Sequence, residues 1–505
     1  MLTTIREWEN SFVPINRIPV DVLSLIPTHL NQQKDCFRAS FVCRHWRRTF
    51  IQRAELWSRL FLSKGSLYTT TLLGRAKGSA LDITVRFLDE PVSTLMAISS
   101  RSKQIKSLTL SSNIQEFSEA VPGPYPLLHT LTINIMDGPR VLAPPCPPLF
   151  SDAVNLKVFR YHSTWPPLLS PFVFPNLLLF DFQAEPMVDL SVSQLLDFLE
   201  GSPMLQVVRM KIFTDLYLGD VPQERVVILP NVKDLDLTVS DSGPSYPIAA
   251  HLSCPSARLT SIKHETDYNF MTTEDIFPPL VPWTAIVHQH TRSSVEEVTL
   301  EITTDEDTKC RLAFRSLDGA VIEIFSKVTV GDEDEDDEDE DSMAHERVYR
   351  QLFAEATGTI RNHPQLANIK CLRIHHNPLL IGPNEISHMA REVARLLETL
   401  GPLEELAIQC ELRPYLDPFL TWPTVEEGVA FPQIKNLTLL HPVTLVGQEW
   451  KGALVEFARS QRAQGVPFEC VTIRSSRMPA WIEEELSPWV GSVKYCFSRL
   501  KGWDF

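Results

Sequence analysis

The chain has 505 residues, 44% hydrophobic and 22% charged, which is apolar material enough for a sizeable folded core. Its 47 Lys and Arg against 63 Asp and Glu leave a formal charge of −16. With no long basic cluster, that balance argues against nucleic acid or an anionic membrane as the main partner.

The opening Met1–Asn10 carries charges where a secretory signal needs an apolar stretch. The richest apolar stretch, Leu168–Phe182, is interrupted by Pro171, Pro175 and Asp181, so it is not expected to cross a bilayer as a helix. The nine cysteines are scattered, odd in number and without a C-x-x-C, the pattern of a reducing compartment. Cytosol or nucleus is the expected location. Glycine is sparse at 19 and proline high at 38, and no phosphate-cradling or nucleophile-elbow glycine motif occurs.

Residues 1–14 read as an extension, and 15–62 as a compact helical module. Pro19 suits a first helical turn, and Val22, Leu23, Ile26 and Leu30 follow at helical spacing. After a polar break come Phe37, Ala39 and Phe41, then Val42-Cys43-Arg44-His45-Trp46-Arg47-Arg48, and finally Leu56-Trp57. So short a unit cannot hide this many large apolar side chains, so part of its surface is expected to dock on something else.

From residue 63 onward a pattern recurs: apolar-x-x-apolar-x-apolar, often closed by a polar residue. It is complete at Ile105–Asn113 and Ile369–Asn377. Looser copies centre on Leu131/Ile133, Phe159/Tyr161, Phe180/Phe182, Val208/Met210, Leu235/Leu237 and Ile262/His264. They continue at Val298/Leu300, Leu406/Ile408, Leu437/Leu439 and Val471/Ile473, with a first strand at Leu81–Val85. Such spacing predicts leucine-rich-repeat-like units, each a short strand whose alternate side chains point inward. One unit cannot bury its own apolar face, so stacking is required. The expected architecture is α/β: an N-terminal three-helix module, then an irregular solenoid or horseshoe with a curved parallel sheet over 63–505. A helix is expected over Ser191–Leu199, stopped at Gly201, and another over Ile386–Leu400.

The wide step between Val298 and Leu372 holds two insertions. Alternating apolar residues around Asp318-Gly319 predict a hairpin within 304–330. Ten consecutive acidic residues, Asp332–Asp341, repel one another and predict a disordered loop over 331–345.

Ile-Pro-x-Asp-Val-Leu at 18–23, followed by Val-Cys-Arg-x-Trp-Arg at 42–47 and Leu-Trp at 56–57, resembles the F-box. The segment Leu72–Val85 looks like the one that follows the F-box in a large fungal family of F-box/leucine-rich-repeat proteins. That resemblance implies binding to the Skp-type adaptor of a cullin ubiquitin ligase. Carried over position by position, the adaptor-facing candidates are Ile18, Pro19, Leu23, Ile26, Leu30, Val42, Cys43, Trp46 and Trp57. One departure stands out: Pro27 occupies a place where the family usually has Leu or Phe, and proline inside a helix removes a backbone hydrogen bond and bends it.

Chemistry-bearing clusters are few. His288/His290 could face one way on a strand, whereas the neighbours His375 and His376 face opposite ways. Neither pair has a further ligand at metal spacing. The carboxylate runs Glu296-Glu297, Glu404-Glu405 and Glu483–Glu485 read as solvated edges. No metal, cofactor or catalytic site is expected. The middle residue of each apolar-x-apolar pair points away from the core, and in five successive units it is Arg160, Asp181, Arg209, Asp236 and Lys263, with Arg373 further on. These are the candidate target-binding residues; the same ladder can equally satisfy itself as surface ion pairs. The expected function is substrate recognition for a cullin-type ubiquitin ligase, with a non-catalytic repeat scaffold as the alternative.

Overall fold

The computed structural model describes residues 12–23, 25–26, 33–63, 66–86, 91–111, 123–135, 152–163, 174–184, 190–212, 225–240, 247–267, 295–304, 307–329, 356–362, 369–377, 403–410, 434–440, 448–463, 465–475 and 481–497, plus isolated positions between them. Pro27, Leu30, the pair His288/His290 and the acidic run lie outside the described residues. The chain is mixed α/β and divides into two compact units, Met1–Gly219 and Asp220–Phe505.

The first unit opens with helices α1 (Val20–Leu23), α2 (Gln33–Ser40) and α3 (Arg44–Gln52). Pro19 stands just before α1, and its carbonyl accepts from the Leu23 N–H at 2.8 Å. Leu23, Ala39, Trp46 and Phe50 form the core between the helices. Trp46 and Phe50, one turn apart on α3, stack at 5.6 Å. The Trp57 indole N–H donates to the Phe50 carbonyl at 2.9 Å, and the ring lies 4.6 Å beneath the Arg75 guanidinium of α4 (Ser66–Ala76). Trp57 therefore joins α3 to α4.

Residues 59–62, read from sequence as the end of the helical module, form β1 (Arg59–Leu62), the first strand of a sheet. Leu60 and Leu62 alternate inward, and burial of both requires a neighbouring strand. The sheet continues in chain order through β2 (Leu81–Arg86), β3 (Ile105–Ser111), β4 (Thr130–Ile135), β5 (Val158–Ser163), β6 (Leu179–Ala184) and β7 (Val207–Ile212), every pairing parallel. Leu60, Ile83, Leu108, Leu131, Phe159, Phe180 and Val208 fall in one register row, all buried. The connection after β6 contains α5 (Val192–Glu200), whose N-cap Ser191 hydroxyl accepts from the Gln194 N–H. Phe198 of this helix packs 4.6 Å from Phe180, which covers the apolar face of the strands.

The second unit holds β8 (Asp234–Ser240), β9 (Leu259–Asp267), β10 (Val295–Thr304), β11 (Asp307–Ser316) and β12 (Val321–Thr329). It continues with β13 (Cys371–Asn377), β14 (Leu403–Cys410), β15 (Ile434–Leu440), β16 (Cys470–Ser475) and β17 (Val493–Phe497). Helix α6 (Gln448–Ala463) bridges β15 and β16. The sequence step from Ile262 to Val298 suggests adjacent strands, but the structure pairs Ile262 with Ile324 of β12 instead. β10, β11 and β12 form a meander in which β11 runs antiparallel to both neighbours, and β10 then pairs parallel with β13. The predicted hairpin is thus part of the sheet. Val298, Leu300, Leu312, Phe314, Ile322 and Ile324 give all three strands one buried apolar face, which only a place inside the sheet can cover. Its turn is as expected: Gly319 has φ +81°, and the Ala320 N–H donates to the Asp318 carboxylate at 3.2 Å.

No helix among the described residues is long and apolar enough to cross a membrane, and none of their His, Cys, Asp and Glu side chains gather into a metal-holding group.

Candidate functional site

Two surfaces stand out. The first lies on the helical module, where the residues named from the resemblance divide. Leu23, Trp46 and Trp57 are interior, at 0%, 7% and 0% exposure, so they build the module rather than its outside. Ile18, Ile26 and Cys43 are partly buried against that same core. Pro19 and Val42 are exposed, and Leu30 lies outside the described residues. The outward apolar side chains are Val20, Val22 and Leu25 around α1, and Phe41 and Val42 between α2 and α3. Phe41 is 69% exposed, the Arg47 guanidinium lying 5.5 Å over its ring. The resemblance carries positions across without their burial; a helix that must bury one side of itself takes its large apolar side chains inward first and leaves the turn residues outside.

Residues 15–63 match the family model described as F-box-like. The chain carries an F-box-like domain. F-box domains generally bind Skp-type adaptors. No curated protein matches the chain.

The second surface is the polar face of the sheets, opposite the buried one. In the first unit Arg160, Asp181 and Arg209 stand in one register row. Arg160 Nε lies 3.7 Å and His162 Nε2 3.5 Å from the Asp181 carboxylate. The hydrogen bond from His162, reinforced by nearby Arg160 and Arg209, holds that carboxyl below its ordinary value despite partial burial. In the second unit Asp236 pairs across the ladder with Ser261, not with Lys263. The sequence spacing misses this register by two residues, because Leu237 rather than Leu235 lies beside Ile262. Lys263 Nζ still reaches Asp236 diagonally at 3.7 Å.

The meander concentrates charge on this face. Arg311 of β11 lies between Glu301 of β10, at 3.2 Å, and Glu323 of β12, at 2.5 Å. Burial works against its charge, but the two carboxylates outweigh it and hold the guanidinium more firmly protonated. Next to it the Glu297 carboxylate lies 2.9 Å from the Arg373 guanidinium and 3.9 Å from that of Arg315. Across β13, Glu405 takes the Thr438 hydroxyl at 3.0 Å and approaches the Cys371 thiol at 3.7 Å. Burial first, then the Glu405 and Glu297 charges, push the Cys371 thiol up to about 12, with Arg373 opposing. A thiol so placed stays protonated and unreactive near neutral pH.

All of these side chains but Glu301 and Cys371 line an open cavity of about 220 Å³, with Thr299, Ala313, Ala407 and Arg474 also in its lining. Of the six target-face candidates only Arg373 lies in it. Glu297 and Glu405, read from sequence as solvated edges, are in the cluster; period-two alternation within each run is the signal that would have separated them from Glu296 and Glu404.

Proposed function

We propose that the chain is a non-catalytic substrate receptor of a cullin-type ubiquitin ligase, acting in the cytosol or nucleus. Its F-box-like module engages a Skp-type adaptor through Phe41, Val42, Val20 and Val22. The strand units behind it, read as irregular leucine-rich-repeat-like stacks, hold a protein target. Catalysis comes from proximity: a target lysine held near a charged conjugating enzyme gains effective concentration without bond chemistry in this chain.

The supporting observation is the exposed apolar flank on a domain that matches the F-box-like family. A module that keeps its largest aromatics inside and still shows Phe41 and Val42 to water has surface left over for a partner. Capture of a purified Skp-type adaptor by the full chain tests this. Phe41→Ser with Val42→Ser is expected to weaken capture about 30-fold, a loss of about 2 kcal/mol at a desolvated aromatic anchor, while the melting temperature of the chain stays within a degree or two. Undiminished capture by the double variant rejects the docking surface.

A further inference from the structure

The helical module differs in charge from the chain that carries it. Residues 15–63 hold eight Lys and Arg against three Asp and Glu, a surplus of five cations in a chain of −16. Some of these cations are paired within the module: Arg53 lies 3.9 Å from Asp21, and Arg38 3.4 Å from Asp35. The densest group is on α3. Arg44, Arg47 and Arg48 stand at i, i+3 and i+4, which puts them on one face of the helix, and all three are exposed. The opposite face carries the buried Trp46, Thr49 and Phe50. Arg47 and Arg48 form no ion pair with another described residue. The Arg47 Nε donates to the Ser40 carbonyl at 3.2 Å, and its guanidinium lies over the Phe41 ring, so the stripe adjoins the exposed pair Phe41 and Val42. These cations do not serve the helix. Arg44 stands in its first turn, which contains no acidic residue, and a cation there opposes the helix dipole.

We infer that the docking face of the module is an apolar seat with a cationic rim, and that the adaptor surface it fits is acidic, with carboxylates flanking a slot that takes the Phe41 ring. This rests on the adaptor-binding role proposed above and specifies the chemistry of the partner at that site. Phe41 and Val42 supply the desolvated centre of the contact. Arg44, Arg47 and Arg48 stand at its edge, where charges add little affinity in water but steer the approach and fix its orientation. At about 0.15 M salt, charges are screened over about 8 Å, so a partner arriving at α3 meets the stripe rather than the total charge of the chain. A basic surface is turned away there by like-charge repulsion.

The test follows association and dissociation of a purified Skp-type adaptor on the immobilised full chain at about 50 mM and about 500 mM salt. The association rate is expected to fall about tenfold between the two, with the dissociation rate changing by less than about twofold. Arg44→Gln with Arg48→Gln should remove most of that fall and leave the melting temperature unchanged, since both side chains are in water. Phe41→Ser with Val42→Ser should do the opposite, raising the dissociation rate and keeping the salt dependence. An association rate equal at both salts overturns the inference and leaves the adaptor role standing. A salt dependence that survives the double glutamine change does the same. Absence of capture at both salts rejects the adaptor role, and the acidic partner surface with it.

Discussion

The helical module and the strand units solve the same problem with opposite surfaces. The module puts Trp46, Phe50 and Trp57 inside and leaves Phe41, Val42 and Val22 in water. The strands put one apolar row after another inside and show arginine, glutamate and threonine outside. Burial alone accounts for neither exterior; it accounts for both interiors. The exteriors differ because a strand alternates strictly, so its second face can be wholly polar, whereas short helices joined by tight turns run out of interior before they run out of apolar side chains.

The difference can be broken most severely from the module side. Phe50→Ala removes a side chain at 0% exposure from a core of few members, and a loss of about 3–5 kcal/mol is expected. Limited proteolysis should then cut within 15–63 while the strand units persist. Resistance equal to the parent chain would show that the module does not depend on that core. A smaller effect is expected on the polar face. Arg311→Met leaves Glu301 and Glu323 confronting each other without their shared cation, at a cost of about 2 kcal/mol, moderated by partial exposure. Adding Glu323→Gln should restore part of the melting temperature; if the second change lowers it further, the triad is not the source.

The smallest effect is a pH dependence in the first unit. The Asp181 carboxyl sits below its ordinary value of 3.8 in the folded chain. It therefore binds its proton less readily folded than unfolded, so its contribution is complete above about pH 4 and is lost as the pH falls through the lowered value. Asp181→Asn should flatten the acid limb of a stability-against-pH curve below pH 4. An acid limb identical in both proteins would remove the pair with His162 as a contributor.

Most strands were legible because period-two alternation is written directly into residues such as Leu108/Leu110 and Leu372/Ile374. Helix α5 was legible at both ends, from Ser191 and Gly201. Order within the sheet was not. Ile262 and Val298 carry the same pattern as any neighbouring pair, and nothing local distinguishes strands that touch from strands separated by a meander. The adaptor-facing residues came from the resemblance, which carries positions and not burial, so it could not tell that Trp46 lies in the core of the module while Val42 lies outside it.

By itself, then, the sequence determined the elements and their apolar faces: the short helices after Pro19, the recurring strands, and the turn at Asp318-Gly319. These depend on side-chain spacing and on φ preferences that act over a few residues. Only the tertiary structure decided which strand lies beside which, that Arg311 stands between Glu301 and Glu323, and that Arg373 and Arg315 share Glu297. Those are contacts between residues distant along the chain, set by which arrangement covers every apolar face at once, and no local pattern encodes that choice.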